Sequence, residues 1–246
     1  METLQRTANR GSVSTGFDVA NSTAFDKTRT EYYTRDVSST GNRDVGTISM
    51  WYKRGTLNVA QYLFTFGNTD NDNGRTFARF QADNTLRIGG GSTVWRNTVR
   101  VFRDNSAWYH ICIAFDTTQS TANDRFKLYV NGVQETIFST TNNPSQNDDL
   151  GINFEKQVIG YNSIDNGSPL DGNICEVVIQ DGVASAPTEF GEFTDTGQWI
   201  PIDVSGLTFG TNGFYLDFED SSNMGNDASG GTDFSESNIN STDQSQ

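Results

Sequence analysis

The chain has 246 residues, of which 34% are hydrophobic, with 24 glycines and only 4 prolines; this composition favours short strands joined by polar turns over long helices. Its 17 basic and 31 acidic residues give a formal net charge of −14, which predicts repulsion from nucleic-acid phosphates and anionic membranes. No apolar run approaches the ~20 residues that a membrane span requires. Residues 1–6 lack the apolar core of a signal peptide, so we expect release by another route such as host lysis.

Residues 1–19 are polar and are predicted to form an N-terminal arm. From residue 20 onward, short apolar runs alternate with turn residues. They predict two edge strands near 22–25 and 31–35, followed by strands at 45–54, 60–67, 75–81, 85–89, 108–116, 125–130, 133–138, 155–161, 172–180, 198–202 and 213–218. Strands spaced so regularly predict one all-β sandwich or barrel domain over residues 20–218.

The clearest local signal is a hairpin at Asn131-Gly132. These two residue types accept positive φ at both central positions of a tight turn. The alternation before the turn predicts that Phe126, Leu128 and Val130 share one face of the strand. A single helical turn is predicted at residues 185–190, because Pro187 is tolerated in the first positions of a helix.

The predicted core comes from the apolar runs around the first two tryptophans. Trp51 and Trp108 are interpreted as packing residues of the sandwich. The other predicted core residues are Ile48, Met50, Ile111, Ile113, Phe115, Leu128, Val130, and Ile174 or Val177.

Residues 219–246 form a C-terminal tail rich in Ser, Asn, Asp and Gly. A segment this poor in apolar residues should not fold by its own burial. We therefore expect both polar ends to be assembly arms, with Met224, Phe234 and Ile239 as anchors that insert into a neighbouring subunit. Deleting the tail is expected to leave the sandwich folded.

Several reactive side chains have simple structural interpretations. Cys112 and Cys175 lie in predicted strands, where buried free thiols are expected unless the two strands are neighbours. His110 is the only histidine and is expected to be a satisfied strand residue. The cluster of Arg96, Arg100 and Arg103 could hold an anionic glycan, but pairing with acidic loops is the simpler interpretation.

The segment 68–74 (NTDNDNG) resembles the start of a calcium-binding loop. Asn68, Asp70 and Asp72 offer oxygen ligands at alternate positions, and Gly74 permits a turn. The following residues read as a strand, so the segment is not an EF-hand. The alternatives are calcium bound by an irregular loop and a surface turn rich in Asn and Asp.

Two further tryptophans lie in polar surroundings and are candidates for stacking on sugar rings. These are Trp95 and Trp199. Either could instead cover a loop or contact a neighbouring subunit.

Glycoside hydrolysis is a remote alternative, since it requires two suitably placed carboxylates. Glu176 and Gln180 would share a strand face, but Val178 occupies the position between them. Asp217 and Glu219 have the spacing but lie at the start of the tail. The sequence therefore predicts a protein that is not an enzyme.

Several motifs in order carry a family resemblance: residues 46–53 (GTISMWYK), 108–116 (WYHICIAFD), 127–132 (KLYVNG) and 170–179 (LDGNICEVVI). Together they resemble the laminin-G-like and pentraxin-like branch of the concanavalin-A-like jelly rolls. The resemblance covers about residues 20–218 and implies a two-sheet antiparallel sandwich. The disulfide of pentraxins would join Cys112 to a position near Met50, so two reduced thiols are expected here. Calcium held by an irregular loop is common in this branch.

A narrower resemblance lies in residues 102–110 (FRDNSAWYH), 190–193 (FGEF) and 213–218 (GFYLDF), which are similar to laminin-G-like domains of marine bacteriophage structural proteins. It implies a virion fibre, appendage or capsid-decorating subunit, made in the host cytoplasm and displayed on the particle. The expected partners are other virion proteins, further copies of the chain and host surface glycans, without nucleic acid or membrane insertion. The alternative is a dedicated, calcium-dependent carbohydrate-binding lectin module.

Overall fold

The computed structural model describes residues 17–67, 74–162 and 167–245. Their strands are, in chain order, β1 (Ser22–Phe25), β2 (Tyr32–Asp36), β3 (Val45–Arg54), β4 (Gln61–Gly67), β5 (Arg75–Phe80), β6 (Thr85–Gly90), β7 (Thr93–Val101), β8 (Trp108–Asp116), β9 (Phe126–Val130), β10 (Val133–Gln134), β11 (Phe138–Thr141), β12 (Lys156–Ile159), β13 (Gly172–Asp181), β14 (Gly191–Phe193), β15 (Trp199–Pro201), β16 (Phe214–Leu216), β17 (Ser235–Ser237) and β18 (Gln244–Ser245). Short 3₁₀ turns cover Ala122–Asp124, Pro187–Glu189 and Ser241–Asp243, the second of which confirms the predicted helical turn.

The strands form two large antiparallel sheets. Sheet A has the order β10-β9-β8-β3-β13-β1-β18, with β16 also paired to β13, and sheet B has the order β11-β7-β6-β5-β4-β12-β2-β17. The predicted all-β, two-sheet antiparallel jelly-roll sandwich is confirmed. In the described stretches, no helix has both the length and the apolar character needed to cross a membrane.

One continuous apolar core fills the space between the sheets. Strand β9 illustrates how the sequence builds it: Phe126, Leu128 and Val130 are buried, whereas Lys127 and Tyr129 point to the other face. The predicted core is confirmed, since one buried cluster includes Ile48, Met50, Ile111, Ile113, Phe115, Leu128, Val130, Ile174 and Val177.

The Asn131-Gly132 hairpin is also confirmed. Both residues have positive φ, 49° and 76°, as a two-residue turn between twisted strands requires. Val130 pairs with Val133 across it. Gly132 has a second role, because a Cβ atom placed there would lie 2.4 Å from the Trp199 ring.

A long excursion between β13 and β16, residues 182–213, covers part of the outer face of sheet A. We call it the cover segment. Beneath it lie two further apolar clusters, one around Cys112, Val178 and Phe190 and one around Trp51 and Trp199. Trp51 is thus buried, as predicted, but on the outer face of sheet A and not between the two sheets.

The C-terminal segment belongs to the sandwich, which corrects the predicted boundary at residue 218. Strand β17 pairs with β2 in sheet B, and β18 pairs with β1 in sheet A. Met224, Phe234 and Ile239 are buried in the core of their own chain, so the expectation that they insert into a neighbour is wrong. Deleting this segment would remove two strands and three core side chains.

The same pairing corrects the prediction that β1 and β2 are edge strands. Each has a neighbour on both sides, because β18 and β17 add to the sheets beyond them. Of the predicted N-terminal arm, residues 1–16 lie outside the described residues, and Val19 packs against the cluster around Trp51.

A buried ion pair attaches the C-terminal segment to the sandwich. Arg35 of β2 lies 2.9 Å from the Asp227 carboxylate, and their side chains are 7% and 0% exposed. Arg35 also donates to the Gln157 side chain and to the carbonyls of Asn212 and Thr232. The second Asp227 oxygen accepts the Tyr215 main-chain N–H at 3.0 Å. Both charges are therefore compensated although both are buried.

We predict that Asp227→Asn lowers the free energy of unfolding by about 3–5 kcal/mol, because it leaves the Arg35 guanidinium buried without its counter-charge. Chemical denaturation measures this loss. The control is Asp149→Asn, which weakens a pair with Arg43 at 3.6 Å whose carboxylate is 69% exposed and should cost less than about 1 kcal/mol. Equal losses in the two variants would contradict the role assigned to the buried pair.

Candidate functional site

The candidate site is a polar cleft of about 290 Å³ at one end of sheet B. Three parts of the chain form it: the start of β5, the turn between β6 and β7, and the connection of residues 142–151 that follows β11. The polar side chains in its wall belong to Arg75, Ser92, Thr93, Asn143, Ser145, Asp148 and Asp149. Main chain and short polar side chains thus dominate the surface offered to a ligand.

Glycines allow the walls of this cleft to approach each other closely. A Cβ atom on Gly151 would lie 2.1 Å from the Gly74 carbonyl oxygen and 2.5 Å from the Thr76 nitrogen. The Gly151 N–H donates to the Thr76 hydroxyl at 2.9 Å, which fixes the connection against β5. No other residue type would permit this packing without displacing the strand.

Two arginines hold the connection 142–151 from the protein side. The buried Arg96 guanidinium donates to the Asn142 carbonyl and, at 2.7 Å, to the Asn143 side-chain oxygen. Arg43 donates to the Leu150 carbonyl at 2.8 Å. The sequence suggested Arg96 for an anionic glycan or an acidic loop, but its partners in the structure are carbonyl and amide oxygens. These contacts preorganise the cleft.

Trp95 lies in the wall of the cleft, but its ring is only 4% exposed. A Cβ atom on Gly90 would lie 2.1 Å from the ring, and Phe126 packs against it with ring centroids 5.7 Å apart. The prediction that Trp95 is a sugar-stacking platform is therefore wrong, because no ring face is open to solvent.

The predicted calcium ligands Asn68, Asp70 and Asp72 lie outside the described residues. The residue that follows their segment, Gly74, is part of the cleft wall. Across the cleft, Asp148 and Asp149 are exposed carboxylates on the connection 142–151. Such oxygen donors are the ligands that Ca²⁺ prefers. Sequence reasoning missed these two aspartates, although the consecutive carboxylates in a polar stretch could have indicated them.

Trp199 lies far from this cleft in the fold, on the outer face of sheet A. It is 7% exposed and packs between Gly132, Phe193 and His110. The prediction that Trp199 stacks on sugar rings is also wrong, since other side chains cover its ring. The structure does not bring Trp95 and Trp199 together.

His110 is fully buried, and burial lowers its pKa to about 3, so the imidazole is neutral near pH 7. The Trp199 indole N–H donates to its Nδ1 at 3.1 Å. The proton of the neutral ring therefore lies on Nε2, which faces the Ser49 hydroxyl at 2.8 Å. In this tautomer His110 cannot accept the Ser49 proton, so the pair is unsuited to nucleophilic catalysis.

Both cysteines are buried and free in the structure. Cys112 belongs to β8 and Cys175 to β13, strands that lie on opposite sides of β3. Burial raises the pKa of each thiol, which makes both poor nucleophiles and metal ligands at neutral pH.

Glu176 is a buried carboxyl group in an irregular stretch of β13. It lies at a β-bulge between Cys175 and Val178, has a φ of 51°, and is only 5% exposed. The Tyr215 hydroxyl donates to its Oε2 at 2.7 Å. The prediction that Glu176 and Gln180 share one face depends on regular alternation along the strand, and the bulge interrupts this alternation.

Burial raises the pKa of Glu176 to about 7, the Tyr215 hydrogen bond opposes the rise, and the charges of Asp217, Glu219 and Asp203 add to it. The residues proposed as a carboxylate pair, Asp217 and Glu219, thus lie near enough to interact with Glu176. Glu176, Asp217 and Glu219 do not line the cleft described above, whose carboxylates belong to Asp148 and Asp149.

We predict that the Glu176 carboxyl makes stability fall as pH rises from about 4.5 to about 7. Its pKa is higher in the folded state than the ordinary 4.5, so its contribution is complete below pH 4.5 and is lost above pH 7. This loss is on the order of 3 kcal/mol. Glu176→Gln should remove this dependence and be more stable than the unmodified chain at pH 8.

Chemical denaturation between pH 4 and pH 8 measures the Glu176 effect. The matched control is Glu192→Gln, which makes the same charge change at an exposed position of the cover segment. An unchanged pH dependence in Glu176→Gln would contradict the assignment.

Comparison with known proteins places the fold in a family. A family model described as the concanavalin A-like lectin/glucanases superfamily matches residues 11–188. The chain therefore belongs to this superfamily, in its laminin-G-like branch. No curated protein sequence matches the chain.

Solved structures agree at the level of the fold. A proposed carbohydrate-binding protein from Bacteroides ovatus is 15% identical with a TM-score of 0.59; the match covers 89% of this chain and 58% of that one. A heptameric SAP-like pentraxin from Limulus polyphemus is 15% identical with a TM-score of 0.48, covering 70% and 82%. Domains LG4-5 of the mouse laminin α1 chain are 10% identical with a TM-score of 0.48, covering 83% and 49%. The fold is that of the concanavalin A-like lectin/glucanases superfamily, and such a fold does not by itself define a function.

Proposed function

We propose that this chain is a lectin-type module that binds a glycan in the cleft between β5, the β6–β7 turn and the connection 142–151, without catalysing a reaction. The observation that carries the proposal is the cleft itself: its walls present hydroxyl, amide and carboxylate groups that suit sugar hydroxyls. Membership of the superfamily and the fold of the Bacteroides ovatus protein support it.

Calcium completes this proposal as the cofactor. The ligands that we propose are Asp148 and Asp149 together with the sequence-predicted Asn68, Asp70 and Asp72. Ca²⁺ takes about 6–8 oxygen ligands, so this set is chemically suitable. When bound, the ion would supply a positive charge for sugar hydroxyls.

The alternatives rank lower on particular observations. Sugar stacking on Trp95 or Trp199 has no open ring face to use. Hydrolysis also requires a carboxylic acid whose pKa is raised by its surroundings; burial raises the pKa of Glu176, but this residue lies outside the cleft. The two carboxylates in the cleft, Asp148 and Asp149, are both exposed.

We predict that the double variant Asp148→Ala/Asp149→Ala binds glycans at least about tenfold more weakly, the loss expected when charge-assisted contacts disappear. A glycan array in calcium and in chelator measures it. The control Asp195→Ala removes an exposed carboxylate from the cover segment on the other sheet. Calcium should also raise the melting temperature of the unmodified chain more than that of the double variant.

Retention of glycans by the double variant at full strength, with the same calcium response, would contradict the assignment of the cleft. Binding that is equally strong in calcium and chelator would contradict calcium while leaving the glycan site in place.

We further propose that the module is carried on a virion surface, as a fibre, appendage or capsid-decorating subunit made in the host cytoplasm. The similarity of residues 102–110, 190–193 and 213–218 to bacteriophage structural domains supports this. So do exposed apolar side chains near the open strands β10 and β11, which could contact other copies or other virion proteins: Val99, Val101, Val133 and Ile137.

We predict that mass spectrometry of gradient-purified particles from a lysate will detect the chain at a fixed stoichiometry to other virion proteins. An antibody against it should label intact particles. Recovery of the chain only in the soluble fraction would contradict the virion assignment without bearing on glycan binding.

A further inference from the structure

Two arginines lie directly opposite each other on the outer face of sheet B. Arg79 of β5 and Arg87 of β6 are cross-strand partners, and both side chains are half-buried. Like charges in this position destabilise a sheet unless something compensates them. Burial lowers the pKa of Arg87, and the positive charge of Arg79 lowers it further.

Among the described residues, the hydrogen-bond acceptors that contact these two guanidiniums are all neutral. With its amide oxygen turned toward the guanidiniums, Gln81 accepts from Arg79 Nε at 3.2 Å and from Arg87 Nε at 2.6 Å. Arg79 also donates to the Tyr62 hydroxyl at 3.1 Å, and Arg87 to the Asn97 side-chain oxygen at 3.2 Å. Among the residues that the structure describes, neither Nη2 atom has a hydrogen-bond acceptor.

This arrangement is unusual in a chain with a net charge of −14. Other cations pair with carboxylates, including Arg29, Arg35, Arg43, Arg100, Lys127 and Lys156. Others, such as Arg54, Arg96 and Arg125, donate to main-chain carbonyls. Within the described residues, Arg79 and Arg87 do neither.

The acidic residue that acts on Arg87 electrostatically is Asp83, but its carboxylate has other partners. It accepts from the Thr85 N–H at 3.0 Å and from the Thr85 hydroxyl at 2.7 Å. It therefore closes the turn before β6 and forms no ion pair with the two arginines.

The position of Arg79 is fixed from below by aromatic rings. Its guanidinium lies 5.3 Å from the Tyr62 ring centroid and 5.9 Å from that of Phe77, and both rings are buried. A ligand would thus meet guanidinium groups already held in place, and little side-chain entropy would be lost on binding.

The pair lies on the same strands as the cleft. Arg75, Phe77 and Arg79 alternate along one face of β5, and Arg75 lines the cleft. Four residues along a strand span about 13 Å, so an extended oligosaccharide in the cleft can reach the two arginines.

We infer that Arg79 and Arg87 bind the carboxylate or sulfate ester of an acidic glycan, so that the module selects anionic over neutral saccharides. This inference rests on the proposed glycan-binding function and names its substrate class. Paired guanidiniums suit such an anion because their Nη2 groups can donate charge-assisted N–H bonds to its oxygens. The anion would also supply the negative charge that the pair lacks.

Calorimetric titration with three oligosaccharides tests the inference: an oligogalacturonate, the same oligomer with its carboxyl groups reduced, and a sulfated galactan oligomer. We expect at least one anionic oligomer to bind about tenfold or more tightly than the reduced one, and to lose this advantage in Arg87→Gln. The two anionic arms distinguish a carboxylate from a sulfate ester. The control Arg100→Gln removes one positive charge from a residue that already pairs with Glu135.

Equal binding of the reduced and both anionic oligomers would overturn the inference and leave the proposed glycan-binding function standing. Equal losses in Arg87→Gln and Arg100→Gln would also overturn it, because net charge alone would then explain the preference. If no oligomer binds, these saccharides are not ligands, and the glycan array decides whether the proposed function fails. NMR titration with sodium glucuronate and inorganic sulfate then decides the anion site: selective shifts of the Arg79 and Arg87 Nε–H signals support it, and their absence overturns it.

Discussion

The ion pair between Arg35 and Asp227 is the contact on which the closure of the sandwich depends. Both side chains are buried, and removing two charges from water is costly unless each is fully bonded. The structure meets that condition, because Arg35 donates to a side-chain amide and to main-chain carbonyls while its plane packs against Phe214 and Phe234. An alternative placement of residues 227–234 would leave a guanidinium buried without its partner. The pair therefore selects one path for a segment whose composition alone selects none.

That path determines which strand edges remain open. Once β17 and β18 have added to the sheets, β2 and β1 have neighbours on both sides, and the unpaired edges are short strands such as β10 and β11. Arg29 adds a second attachment, since it contacts the carboxylates of Glu31 and of Asp243, the last residue of the final 3₁₀ turn. The cleft lies toward the β11 side of sheet B, so the C-terminal segment stabilises the scaffold without covering the candidate site. Within sheet B, the strand that the C-terminal segment contributes and the candidate binding site therefore lie toward opposite edges.

The sequence predicts well whatever depends on neighbours along the chain. Alternation places Leu128 and Val130 in the core, and Asn131-Gly132 defines its own turn. It predicts poorly whatever depends on distant segments. Strand β7 was missed because several of its residues are Thr, Arg and Asn, although pairing with β6 and β11 makes it a strand. Polar sequence neighbours make Trp95 and Trp199 candidates for sugar stacking, yet Gly90 and Gly132 provide flat surfaces on which the two rings are packed. Three apolar residues are enough to attach the C-terminal segment, because they pack into a core that the rest of the chain forms.

The candidate site could be predicted only in part, because an arginine in a sequence does not reveal its partner. Three arginines hold loops of their own chain by donating to carbonyl or carboxylate oxygens: Arg35, Arg43 and Arg96. Arg79 and Arg87 lie side by side because of the register between β5 and β6. A shift of one residue in this pairing would separate them and turn one of the two side chains toward the core. The same register that buries Ala78 against Ile88 therefore sets two guanidiniums side by side on the other face. A preference for anions would then be a consequence of core packing, fixed by the apolar residues and expressed by the polar ones.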